Sequence, residues 1–137
     1  MSALEKISVS DVCRAVLESK SDDLVVLTIP GTSYRLHFKP GARITKEPGK
    51  RIIGTISGKA LRIHAAAAGG KFIEPIYGHP RIVQGTVVAI DTTANRLLID
   101  MVVPVWLVVP NGQTTNEFSV GQMVNMYVES GMTFTPS

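Results

Sequence analysis

The sequence holds one cysteine, Cys13, so it can form no internal disulfide. Nothing about it therefore requires an oxidising compartment, and a core must hold the chain together by burial alone. Charged residues are scarce, at 18% of the 137, while hydrophobic residues make up 45%. That balance belongs to a chain that buries a core and excludes a disordered one. Long apolar runs are also missing. The longest tract, Leu97 to Val109, is interrupted by Asp100 and Pro104, and a spanning helix needs about 20 apolar residues. No membrane partner is expected. The opening MSALEKISVSD lacks the basic and apolar segments of a secretory leader, which makes a cytoplasmic location the expectation.

Catalytic signatures are absent too. The chain contains no G-x-S-x-G elbow, no Walker-type phosphate loop, no H-E-x-x-H and no C-x-x-C. No catalytic residue and no cofactor is expected. Cys13 falls on the apolar side of an alternating segment, where it reads as a small buried thiol, not a nucleophile with an activating base. His37, His64, His79 and Glu74 are the candidate metal ligands. They lie in separate segments, and His37 and His64 share faces with arginines and lysines that would repel a divalent ion, so no metal site is expected.

What the chain does have is period-two alternation, punctuated by eight prolines and twelve glycines. Ile7, Val9, Cys13, Ala15 and Leu17 alternate with polar residues, interrupted at Asp11, and predict a strand over a competing helix from Ser10 to Lys20. Leu24–Ile29 is a β-branched run suited to a buried strand. Tyr34, Leu36 and Phe38 alternate with Arg35, His37 and Lys39. Ile52–Ile56 and Ala60–His64 flank Ser57–Gly58 and predict a hairpin, with Arg62 and His64 on one side of its second arm. Four alanines ending at Gly69–Gly70 predict one helical turn. Further strands are expected over Ile82–Ile90, Leu97–Val103, Val105–Val109, Met123–Val128 and Met132–Thr135.

The expected fold is thus all-β, with about ten short strands. They would form one compact barrel or sandwich, or two fused small barrels: residues 1–64 as a first half, 65–80 as a connector or recognition loop, and 81–137 as a second half. An echo at a shift of 80 residues pairs Val25 with Val105 and Phe38 with Phe118, in keeping with two related halves. The step Val120-Gly121-Gln122-Met123-Val124 resembles the small strand-turn-strand units of OB-fold and SH3-like barrels, a generic likeness that implies a small β-barrel and no particular function.

Charge is unevenly spread. Residues 35–81 carry ten basic groups against two acidic, a net of +8, whereas 1–34 carry a net of −2 and 82–137 a net of −3. Arg35, His37 and Lys39 stand on one side of one strand, and Arg62 and His64 on one side of another. If those strands were neighbours, they would form one cationic sheet face, joined from the 70–81 loop by Lys71, Tyr77 and Arg81. Such a face would bind a polyanion, with single-stranded nucleic acid the first expectation. Tyr34 and Phe38 point to the opposite face and would not serve it. The competing expectation is a self-associating homo-oligomer, its interface drawn from the apolar second half around Trp106.

Overall fold

The computed structural model describes residues 10–67 and 69–137. The expected strand at Ile7 and Val9 lies outside the described residues. Among those described the fold is all-β: eleven strands, no α-helix, and a 3-10 turn at Thr115–Glu117. In chain order the strands are β1 (Cys13–Lys20), β2 (Val25–Thr28), β3 (Arg35–Pro40), β4 (Arg51–Ala65), β5 (Phe72–Glu74), β6 (Tyr77–Gly78), β7 (Ile82–Asp91), β8 (Arg96–Asp100), β9 (Pro104–Val108), β10 (Met123–Val128) and β11 (Thr133–Pro136). Cys13, Ala15 and Leu17 are buried along β1, so strand prevails over helix at Ser10–Lys20.

The strand pairings close on themselves twice. β1 pairs antiparallel with β2 and β2 with β3; β3 runs parallel to β11, β11 antiparallel to β4, and β4 antiparallel to β1. This is ring one. β4 also pairs antiparallel with β10, β10 with β7, β7 with β8 and β8 with β9, and β9 returns parallel to β4. This is ring two. β4 belongs to both, with residues 51–57 in ring one and 56–65 in ring two. One contiguous core runs through both rings, from Leu17, Leu27, Phe38 and Phe134 to Val87, Ile99, Leu107 and Met126.

β4 replaces the hairpin expected at Ser57–Gly58. The chain stays extended there because neighbours fill the space a side chain would occupy. A Cβ on Gly58 would stand 2.7 Å from the Met132 side chain, and one on Gly54 would stand 2.3 Å from the carbonyl oxygen of Thr135 and 2.5 Å from the Phe134 ring. Both glycines thus serve close approach of β11 and the segment before it, not a turn. β4 reaches Ala65, which pairs with Val124, and Ala66 donates its N–H to Met123 O. The helical turn expected over the alanines therefore does not form at Ala65–Ala67; Ala68 lies outside the described residues. The register of β4 against β10 slips beside Tyr127, which leaves Leu61 facing solvent although Ala60 and Ile63 are buried.

The echoed positions take different places. Val25 lies in β2 and Val105 in β9, while Phe38 lies in β3 and Phe118 follows the 3-10 turn. β8 and β9 bury both faces: Leu97, Ile99, Val105 and Leu107 join the main core, whereas Leu98 and Trp106 pack with Ala89 on the opposite side. Trp106 donates its indole N–H to Asp11 Oδ2 at 2.9 Å, and the Arg96 guanidinium lies 4.0 Å from its ring centre. The dense apolar run of the second half is thus absorbed within the fold. No helix among the described residues is long and apolar enough to cross a membrane.

Two outcomes follow for solution measurements. Gly54→Ala should destabilise the protein by roughly 1–3 kcal/mol through overpacking, read as a lower urea midpoint at unchanged slope, whereas Gly70→Ala, with nothing within 4 Å, should leave the midpoint in place. Trp106, 2% exposed, should emit at short wavelength and resist iodide quenching; ready quenching would mean that its face is open.

Candidate functional site

The alternation of β3 carries through to the structure. Leu36 and Phe38 are buried in the core, and Arg35, His37 and Lys39 face outward. β6 lies beside the first half of β3 in parallel, with Tyr77 opposite Arg35 and Gly78 opposite Leu36. Gly78 adopts φ +128°, which residues with side chains rarely take, and the chain so carries both Tyr77 and His79 onto the face of Arg35 and His37. The His37 and Tyr77 ring centres are 5.2 Å apart and those of His37 and His79 5.5 Å, both edge to face. Arg35 Cζ lies 4.7 Å from the Tyr77 ring centre. Five groups, three on β3, Tyr77 on β6 and His79 just after it, thus form one cationic and aromatic surface.

Its internal interactions are weak. The register of β1 against β2 skips Glu18, and this bulge aims the carboxylate across β2 at Arg35, whose Nε donates to Glu18 Oε1 at 2.9 Å. Both side chains remain partly exposed, and such pairs contribute about 0–1 kcal/mol. A multiply charged ligand can therefore compete for Arg35. Nε2 of His37 and Nδ1 of His79 are buried without hydrogen-bond partners among the described residues. Burial first, then the proximity of His37 and Lys39, holds His79 below the ordinary histidine value, opposed by its hydrogen bond to the His37 backbone. This favours the uncharged imidazole. Lys39 also borders an open groove of about 350 Å³ with Lys59, Glu129 and Met132.

The other expected site residues are placed elsewhere. β11 stands between β3 and β4, and it pairs only with residues 54–57 of β4. Arg62 and His64 lie farther along β4, opposite Tyr127 and Asn125 of β10 in ring two. They do not extend the β3 face as neighbouring strands would. Lys71 is committed to Asp100, Nζ to Oδ2 at 2.6 Å. Arg81 is exposed where the chain leaves the face, its backbone held by Glu74 and Val128. His79, weighed from the sequence only as a metal ligand, and Glu18, not singled out at all, join the site. His79 stands two residues after Tyr77, the spacing of Arg35 and His37, and that was the legible signal; Glu18 depends on the bulge and had none.

The face offers the cations Arg35 and Lys39, two imidazoles and the Tyr77 phenol, with the Glu18 carboxylate held at its edge by Arg35. Among the described residues no three His, Cys, Asp or Glu side chains converge on a position that could hold a metal ion. Burial pushes the Cys13 thiol up to about 12, far from a reactive thiolate. Native protein at pH 8 should therefore fail to react with Ellman's reagent and should release one equivalent on denaturation; rapid labelling of the folded state would contradict this burial. Comparison with protein-family models, curated proteins and solved structures returns no match to the chain.

Proposed function

We propose that the protein is a non-catalytic binding module whose ligand is a polyanion, with single-stranded nucleic acid first, held on the outer face of β3. The observation that carries this reading is the gathering of Arg35, His37, Lys39, Tyr77 and His79 on one surface. Single-stranded nucleic acid is held by cations that track the phosphates and by aromatic faces that stack on bases. Tyr77, about half exposed, supplies the stacking face that Tyr34 and Phe38 could not. Ring one adds support, because OB folds are five-stranded and bind oligonucleotides across their second and third strands. The second and third strands of ring one are β2 and β3.

The assembly reading rests on a smaller observation: Leu61, Val108 and Tyr127 of ring two are exposed, the first two lining one shallow groove. Because the larger apolar run is internal, this patch is modest, and the polyanion reading has more behind it.

From Arg35 to Lys39 an extended strand covers about 13 Å, enough to meet roughly two phosphates. Log affinity for an oligothymidylate should then fall with log salt at a slope of about −1.4, at −0.7 per phosphate. Lys39→Glu combined with Tyr77→Ala should reduce affinity at least tenfold at low salt and leave the urea midpoint within about 0.5 kcal/mol of the parent, as surface substitutions do. Arg62→Glu should have a smaller effect. Absence of binding at low salt would end this reading; a change of oligomer size on altering Leu61 or Tyr127 would favour assembly.

A further inference from the structure

We infer that the anion is bound on the β3 face together with a proton, taken up at Nδ1 of His79, so that this face binds tightly in mild acid and weakly above neutrality. The inference rests on the polyanion reading and concerns its regulation.

The geometry explains why His79 is the acceptor. Nδ1 of His79 is buried with no hydrogen-bond partner among the described residues. The ring packs edge to face against His37, 5.5 Å between centres, so a proton added at Nδ1 would sit between this ring and the cations of β3.

The surroundings explain why the proton waits for the anion. On β3 the charged neighbours are Arg35 and Lys39, and His37 lies between them. β6 contributes Tyr77. The adjoining strands β2, VVLT, and β11, TFTP, bring no titratable group. From β1 comes Glu18, already bonded to Arg35, and beyond Lys39 the groove adds Lys59 and Glu129. An imidazolium formed in the empty site would face cations with no carboxylate of its own. A phosphate laid across Arg35 and Lys39 reverses that field and supplies the missing counter-charge, so proton and anion favour each other reciprocally. Stacking of a base on Tyr77 would shield the pair further from water.

By linkage, uptake of one proton per anion gives a log affinity that falls with pH at a slope approaching −1, up to about tenfold per pH unit. The window lies between the lowered value of the empty site and the higher value that a bound anion would give. Well above this window the slope vanishes.

The test uses the intact protein and a fluorescein-labelled oligothymidylate of about 15 nucleotides, at low salt from about pH 5.5 to 8. Affinity should rise several-fold from pH 7.5 to 6. Calorimetry in two buffers of different ionisation enthalpy should show net proton uptake. His79→Gln should lose the slope of affinity against pH, whatever its affinity at pH 8, whereas His64→Gln should keep it. Nuclear magnetic resonance of the histidine ring protons in the unaltered protein gives a second readout, with the His79 titration moving upward on adding oligonucleotide. Binding that is independent of pH, a slope retained in His79→Gln, or an unmoved His79 titration would overturn the proton-coupling inference while leaving the polyanion reading intact. No binding at any pH would overturn the polyanion reading and the inference with it.

Discussion

Everything in this fold hangs on the hydrogen bonding of β4 along both of its edges. One edge is taken first by β1 and then by β9, the other first by β11 and then by β10. A backbone of fifteen residues would otherwise present rows of donors and acceptors to water or to another chain. Where β9 ends, Gln113 continues its work: its side chain accepts from Ile63 N–H and donates to Ile63 C=O, both at 2.9 Å, as a neighbouring strand would. The two bare glycines, Gly54 and Gly58, let β11 and Met132 close over the strand. Pairing and close approach together make one core out of two rings.

That scaffold gives the β3 face its character. Phe38 packs 6.5 Å from Phe134 behind the strand, so the outward residues stand on a filled interior and not on a mobile loop. The parallel partners of β3 divide its second edge, β6 taking the start and β11 the end. The split permits two aromatic residues from a short strand to reach across a face whose own residues are basic. Rigid backing and borrowed aromatics hold the groups of this face in one arrangement.

Local patterning was legible wherever one face is buried. The alternation of β3 separates Arg35, His37 and Lys39 from Leu36 and Phe38, and the β-branched run Leu24–Ile29 points to a buried strand, which Val25, Val26 and Leu27 of β2 are. Pairing between distant strands was not legible. Period two says which side a residue faces but not which strand lies next to it, so nothing local could place Arg62 apart from Arg35, bring Tyr77 over it or tie Lys71 to Asp100. Gly58 was taken for a turn because the same lack of a Cβ that permits a turn also permits close packing. The difference lies in Met132, more than seventy residues away.

The parallel pairing of Lys39 and Pro40 with Thr133 and Phe134 has a consequence for synthesis. A chain emerging from the ribosome in order exposes β1, β2 and β3 early, yet the strand that seals their ring is β11, and β10 of ring two must appear before it. Until then Leu27, Leu36 and Phe38 lack the Phe134 ring, and the parallel edge of β3 stands open. Contacts between segments so far apart in sequence are slow to find each other, and an open edge during that interval invites pairing with other nascent chains. The strand that carries Arg35, His37 and Lys39 therefore needs protection while the protein is being made.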